Sequence, residues 1–262
     1  MFKYRLHISL FVFFLLFGCS PLPVSKTSEK ELNLKEKNNI PVMYVKETMK
    51  MVGLGDSLTA GFGDETKNNG YVGRVKGYLE ESKYINEVIV ENFGVKGYKT
   101  TNVIKKLKED EELRNEIEEA DIIVMTIGAN DLMAVVKDNI FSLTYEPFRQ
   151  EKERYQDRIL EILTLIRELN PQASLYFVGL YNPFKSAFPD FPEVDMIIEE
   201  WNNVSRNILA SDEKATFVSI FDIFSNHENE DLLYKDEFHP SDVGYMYIAE
   251  RVCRAIEQDR KM

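Results

Sequence analysis

Short runs of apolar residues alternate along this chain with longer segments in which apolar residues recur at helical spacing. The runs predict strands near Met49–Gly55, Val88–Phe93, Asp121–Gly128, Ser174–Leu180 and Thr216–Ile220. The longer segments predict helices at Tyr71–Lys83, Thr100–Glu112, Phe148–Leu169, Val194–Leu209 and Ser241–Gln258. The alternation indicates an α/β fold, and strands nearly continuous in Val, Ile and Leu indicate burial on both faces. We therefore expect a three-layer α/β/α sandwich around a five-stranded parallel sheet.

The N-terminus has the pattern of a secretory signal. Lys3 and Arg5 give a positive start, and Ile8–Phe17 is almost wholly apolar. This run is shorter than the roughly 20 residues of a membrane-spanning helix, which argues against a permanent signal anchor. Leu16–Cys19 resembles the bacterial lipobox, whose cysteine is diacylated after cleavage. We therefore predict a signal peptide over residues 1–18 and a lipid anchor of two acyl chains at Cys19.

The remainder predicts a tether and one folded domain. Residues 19–47 are rich in Lys, Glu, Asn and Ser without a sustained apolar period, which is typical of a solvated segment. Residues 48–262 follow as the domain, and with 44% hydrophobic residues in the chain they can bury one large core. If Cys19 is lipidated, Cys253 has no partner for a disulfide, and its helical pattern predicts a buried, inert thiol. We expect an extracytoplasmic protein held at the bacterial membrane.

Charge limits the classes of partner. The formal net charge is −12 and no basic cluster relieves it. Nucleic acids and anionic lipid surfaces are therefore poor partners on electrostatic grounds. Histidines and cysteines are too few and too scattered for a zinc site, so no metal is predicted. No obligate protein partner is indicated.

Candidate chemistry begins where the first strand ends. Gly55-Asp56-Ser57-Leu58 places a serine hydroxyl on a strand-to-helix turn, where a nucleophile can be exposed. Such a hydroxyl needs a base, usually histidine, that is itself held by a third group. His227 lies in a polar, loop-like stretch typical of solvated surface. His239 precedes a proline and follows Asp236 by three residues, a spacing that can close one turn; a local contact without catalysis is the alternative reading.

Acyl transfer also needs hydrogen-bond donors for the developing oxyanion. We propose three: the backbone N–H of Ser57, the backbone N–H of Gly97, and the side-chain amide of Asn130. All three follow strands of a parallel sheet, so they fall on one rim. Gly94 competes with Gly97, both can be ordinary turn glycines, and Asn130 can be a helix cap. The apolar stretch Leu132–Phe148 and the Phe- and Pro-rich loop at 181–192 are candidates for an acyl pocket or for ordinary packing.

Four segments together resemble the SGNH, or GDSL, hydrolases. They are Gly55–Gly61, Asn92–Gly97, Gly128–Asp131 and Asp236–His239, and the resemblance spans about residues 50 to 252. It implies the flavodoxin-like SGNH fold, Ser57 as nucleophile, Gly97 and Asn130 as oxyanion donors, and Asp236 and His239 as the other triad members. The leader and residues 179–184 are most similar to the YpmR-like branch of bacterial lipoproteins.

These observations predict a membrane-anchored serine esterase or lipase that needs no cofactor and forms an acyl-enzyme on Ser57. Two alternatives stay open. One is O-acyl transfer or deacetylation on envelope polysaccharide, which would use the same residues. The other is a binding lipoprotein without catalysis. An aromatic rim suits a fatty acyl chain and a sugar ring equally well, so the sequence leaves the natural ester undetermined.

Overall fold

The sheet has the predicted parallel architecture. The computed structural model describes residues 47–183, 193–226 and 231–260. Its strands are β1 (Glu47–Gly55), β2 (Ile85–Gly94), β3 (Ile122–Thr126), β4 (Ser174–Val178) and β5 (Ala215–Val218). They lie in the order β2-β1-β3-β4-β5, and every neighbouring pair is parallel. This is the flavodoxin-like order, so the predicted fold class is confirmed.

Helices cover both faces of this sheet. Within the described residues they are α1 (Gly70–Glu80), α2 (Thr100–Glu109), α3 (Glu111–Glu119), α4 (Ala129–Asp138), α5 (Tyr145–Leu169), α6 (Val194–Leu209), α7 (Phe221–Asn226) and α8 (Asp242–Arg260). The five predicted helices correspond to α1, α2, α5, α6 and α8. The sequence patterns did not resolve α3, α4 or α7.

One of these differences has a clear local cause. The predicted helix Thr100–Glu112 ends early because Asp110 is extended and its carboxylate accepts the N–H of Leu113, which starts α3. The stretch Leu132–Phe148, which was predicted to line a pocket or to pack in the core, is largely helical. It contains most of α4 and the start of α5, and Leu132, Val135 and Val136 are buried in the core.

Alternation along each strand divides the core between the two faces. In β3, Ile123 and Met125 join one apolar cluster, whereas Ile122 and Val124 join the other. The first cluster lies under α2 to α6, and the second lies under α1 and α8. Because each central strand is buried on both sides, its polar groups concentrate where the strand ends. No helix among the described residues is long and apolar enough to cross a membrane.

Candidate active site

Ser57 lies in a tight turn directly after the central strand β1. Gly55 has φ +138°, and a Cβ there would come within 1.9 Å of the Thr126 carbonyl oxygen. Only glycine therefore lets the chain leave the sheet at this point. The next residue, Asp56, donates its N–H to that same carbonyl at 3.0 Å, and Phe62 donates its N–H to the Ser57 carbonyl at 2.9 Å. The turn is thus fixed at both ends, and Ser57 is buried.

A buried polar network braces this turn from below. The Asp56 Oδ1 accepts the Leu58 N–H at 3.1 Å and the Thr126 hydroxyl at 2.7 Å. The Thr59 hydroxyl lies 2.7 Å from that of Thr126 and 3.1 Å from that of Tyr71. Burial raises the pKa of Asp56 to about 7, although the bonds from Thr126 and Leu58 act in the opposite direction. This role of Thr126 was not predicted, because a threonine at the end of a strand is ordinary.

The structure brings Ser57, His239 and Asp236 into one chain of hydrogen bonds. His239 Nε2 lies 2.9 Å from the Ser57 hydroxyl, and its Nδ1 lies 2.7 Å from Asp236 Oδ2. Asp236 Oδ1 also accepts the N–H groups of Phe238 and His239, at 3.1 and 3.0 Å. Partial burial works to raise the pKa of Asp236, but the hydrogen bonds from His239 and Phe238 outweigh it and hold that pKa below its usual value.

The loop that carries His239 is a closed turn of its own. The Tyr234 N–H donates to the His239 carbonyl at 2.7 Å, and Leu233 and Pro240 form a bridge around the turn. At its tip Glu237 adopts a left-handed conformation, with φ +54°. The Tyr181 hydroxyl donates to the Phe238 carbonyl at 2.5 Å, which ties the turn to the end of β4. The imidazole is thereby held in place by backbone bonds next to it.

The candidate oxyanion donors lie at the same edge. Gly97 has φ +84°, and its N–H has no acceptor among the residues described here. Gly94 differs, because its N–H already donates to Asn92 Oδ1 at 2.9 Å. A Cβ at Gly94 would also come within 2.3 Å of Ala60 N. Gly94 is therefore a close-packing glycine, and the geometry favours Gly97 as the donor.

Asn130 is tied to the Gly97 turn. It lies in the first turn of α4, and its amide donates to the Tyr98 carbonyl at 2.9 Å. An amide has two N–H groups, so one stays available for a ligand. The neighbouring Asp131 accepts the N–H and hydroxyl of Thr100 at 3.0 and 2.6 Å, and it lies 3.3 Å from Arg158. Asp131 thus braces α4 against α2.

An apolar cleft opens beside Ser57, between the ends of β3 and β4. Most of its lining is aliphatic or aromatic, and Asp56 and Thr126 contribute polar groups. Leu132 and Met133 of α4 and Phe238 form part of the wall. Part of the stretch Leu132–Phe148 therefore lines a cleft. The rest of the loop at 181–192, beyond Pro183, lies outside the described residues.

The remaining sequence predictions concern a thiol, metal binding and residues outside the described ranges. Cys253 is buried in α8 as a free thiol, and burial raises its pKa to about 12, which fits the predicted inert role. In the described parts of the chain, no group of three or more His, Cys, Asp or Glu side chains has the arrangement of a metal site. The signal peptide, the tether with Cys19, and His227 fall outside the described residues and stay predictions.

Three comparisons with known proteins show the family and the fold of this chain. Residues 54–247 match the model of the GDSL-like lipase/acylhydrolase family. The YpmR protein of Bacillus subtilis is 37% identical over 82% of this chain and 84% of its own. The spore germination lipase LipC of Bacillus licheniformis is 27% identical over 79% and 96%. The crystal structure of the lipase Lip_vut3 from a goat rumen metagenome superposes with a TM-score of 0.70, at 27% identity over 79% of this chain and 96% of its own.

Proposed function

This chain belongs to the GDSL-like lipase/acylhydrolase family and is an ester hydrolase, and we propose that it works through Ser57, His239 and Asp236. One observation carries the proposal. His239 lies between the other two side chains, 2.9 Å from the serine hydroxyl and 2.7 Å from the carboxylate. A nucleophile, a base and a group that orients the base are the parts that acyl transfer to serine requires.

The first half of the reaction forms an acyl-enzyme. His239 Nε2 takes the hydroxyl proton as Ser57 Oγ bonds to the ester carbonyl carbon. Asp236 accepts the Nδ1–H, so it fixes the tautomer and stabilises the imidazolium. The imidazolium then gives its proton to the alcohol oxygen as the carbon–oxygen bond breaks. In the second half, water adds to the carbonyl carbon, its proton passes to His239, and that proton returns to Ser57 as the acid leaves.

The charge that develops on the carbonyl oxygen needs donors that are already in place. We assign this role to the N–H groups of Ser57 and Gly97 and to the second amide N–H of Asn130. Neither backbone N–H has an acceptor among the described residues. No hydrogen bond within the protein therefore has to break before these two groups can bind the oxyanion. Each such donor contributes about 100- to 1,000-fold in rate.

The test compares two histidines. Ser57→Ala and His239→Ala should each lower ester turnover by about 10⁴-fold or more, because the group that makes or breaks a bond is gone. His227→Ala should leave turnover within about twofold. Hydrolysis of a 4-nitrophenyl ester measures all three. Equal losses at both histidines would refute the assignment, and so would full activity without Ser57.

The apolar cleft is proposed to hold the acyl group. Its lining by Leu132, Met133 and Phe238 supports an apolar chain over a polar one. Replacing Met133 by Trp should obstruct this space and lower the turnover of octanoyl esters more than that of acetyl esters. An equal effect on both chain lengths would place the acyl group elsewhere.

We also propose that the protein acts outside the cytoplasm on a lipid anchor. The support is the sequence of residues 1–19, with its apolar run and its lipobox-like end at Cys19. Cells grown with an alkyne-labelled fatty acid should incorporate the label into the wild-type protein and not into Cys19→Ala. That variant should also leave the membrane fraction. Label in both proteins would contradict the anchor at this residue.

A further inference from the structure

The side chain of Lys96 lies near the proposed reaction centre but has no role in the mechanism described above. Lys96 directly precedes Gly97, and its Nζ lies 3.4 Å from the centroid of the Phe62 ring. The same ring meets the His239 imidazole edge to face, with centroids 4.5 Å apart. Together these distances keep the Lys96 ammonium within about 8 Å of the centre of the imidazole.

Lys96 carries a positive charge that no carboxylate of the described residues neutralises, in a strongly acidic chain. The protein has a formal net charge of −12, and many of its lysines form ion pairs. Lys96 is exposed and, within the described residues, has no carboxylate in ion-pair range. The Phe62 ring positions its ammonium through a cation–π contact, which leaves the positive charge uncompensated.

The sheet order places this charge on the side of Ser57 opposite to the apolar cleft. Ser57 follows β1, Lys96 follows β2 on one side of it, and the apolar cleft follows β3 and β4 on the other. With the acyl group in the cleft, as proposed above, the alcohol part would extend away from β3 and β4, toward the side of His239 and β2. His239, which protonates the departing alcohol, contacts the same Phe62 ring as Lys96.

We propose that Lys96 determines specificity for esters whose alcohol part carries a negative charge, a phosphate or a carboxylate. This inference rests on the proposed function, because it concerns the same site. The anion would take the counter-charge position that no side chain of the described residues fills. An exposed ammonium attracts such a group through a partly screened charge pair, which corresponds to about tenfold in kcat/KM.

Matched substrates isolate the charge. One pair is 1-butyrylglycerol and 1-butyrylglycerol 3-phosphate, and the other is the butyryl ester of methyl 4-hydroxybenzoate and that of 4-hydroxybenzoate. The wild-type protein should prefer the anionic member of at least one pair by about tenfold in kcat/KM at low salt, and the preference should shrink as salt is added. Preference in only one pair would identify the anion as phosphate or as carboxylate.

Three variants assign the preference to the side chain. Lys96→Met should lower kcat/KM for the anionic esters by about tenfold and change the neutral esters less than twofold. Lys96→Arg should retain the preference. Lys214→Met removes the same charge just before β5, at the opposite edge of the sheet, and should leave both substrate classes unchanged.

Two outcomes would overturn the proposal. One is an absence of charge preference in the wild-type protein with both pairs. The other is an equal loss on neutral and anionic esters in Lys96→Met, which would mean that Lys96 only supports Phe62 and His239. Failure of the proposed function looks different, since Ser57→Ala would then hydrolyse the neutral esters as well as the wild type.

Discussion

Two aspartates stand next to the two ends of the Ser57–His239 contact, and their environments are opposite. Asp56 precedes the serine, is 1% exposed, and accepts bonds from Leu58 and Thr126. Asp236 faces the imidazole, its side chain is 36% exposed, and it accepts three bonds from Phe238 and His239. Burial raises the pKa of the first, and hydrogen bonds lower that of the second.

The comparison shows that the aspartate side chain serves two different purposes at these two positions. A carboxylate that remains ionised beside an imidazole can stabilise positive charge as it forms. A buried carboxyl with a pKa of about 7 serves better as a fixed acceptor for the turn that presents the nucleophile. Substitutions at Asp236 should therefore act mainly on turnover, whereas substitutions at Asp56 should act mainly on stability.

The largest effect is expected from Asp236→Asn. The amide cannot stabilise the imidazolium and favours the wrong tautomer of His239, so kcat should fall by about 10³- to 10⁴-fold. The free energy of unfolding should change by less than about 1 kcal/mol, because the site is partly exposed. Steady-state kinetics and urea denaturation measure the two quantities. Glu237→Gln, one residue further, is the control and should match the wild type. A loss of less than tenfold in Asp236→Asn would remove Asp236 from the mechanism.

The second prediction concerns pH and Asp56. Because its folded pKa of about 7 exceeds its unfolded value, Asp56 contributes stability that is complete below about pH 4 and is lost as the pH rises through 7. Asp56→Asn keeps an acceptor oxygen and does not ionise. Relative to the wild type it should become more stable between pH 4 and 8, by up to about 4 kcal/mol.

Urea denaturation at several pH values tests this shift. Asp236 supplies the contrast, because its lowered pKa gives stability that is present above about pH 4 and is lost below it. Parallel pH profiles for the wild type and Asp56→Asn would show that Asp56 is ionised in the folded protein at all these pH values.

A smaller effect is expected from Thr126→Val. The change removes the hydroxyl that Asp56 accepts at 2.7 Å while keeping the shape of the side chain. The free energy of unfolding should fall by about 1 to 2 kcal/mol, as urea denaturation would show. Thr216→Val is the control, since its hydroxyl also bonds a carboxylate, Asp259, but at the partly exposed β5. Similar losses at both threonines would mean that burial of the Asp56 network adds nothing.

The smallest effects should distinguish the His239 turn from the Ser57 turn. Tyr181 donates its hydroxyl to the Phe238 carbonyl in the His239 turn, and Tyr245 donates its hydroxyl to the Phe62 carbonyl after Ser57. Replacing either by Phe should cost about 1 kcal/mol of unfolding free energy. Only Tyr181→Phe should also lower kcat, by about threefold to tenfold, because the Ser57 turn retains its buried network. Equal kinetic losses would make the two loops equally dependent on a single bond.

Sequence patterns were sufficient for the sheet and for the residues that meet at its edge. Each predicted strand is present within three residues of its expected ends, because strands buried on both faces give continuous apolar runs. The D-x-x-H spacing and the need for a base indicated Asp236 and His239. Two local motifs and the chemical need for a base thus indicated a contact between residues that are 182 positions apart.

The missed features depend on packing that the local sequence does not encode. Helix α4 was not predicted, because the spacing of Leu132, Val135 and Val136 fits both a pocket lining and a helix face. Thr126 was missed because its role depends on Asp56, which belongs to a different strand end. Gly97 rather than Gly94 was predicted from the spacing after Asn92, and the close contact that a Cβ at Gly94 would make with Ala60 is consistent with that choice.

The long separation between Ser57 and His239 has a consequence for biosynthesis. A nascent chain that stops before Asp236 already contains the nucleophile and all three proposed oxyanion donors but no base. The His239 turn lies directly ahead of α8, and α8 in turn packs against α1 and bonds the segment after Ser57 through Tyr245. Under the proposed mechanism, esterase activity therefore requires that the chain has been made through His239 and that α8 has folded onto α1. Forms of the chain that end before Asp236 should therefore hydrolyse no ester.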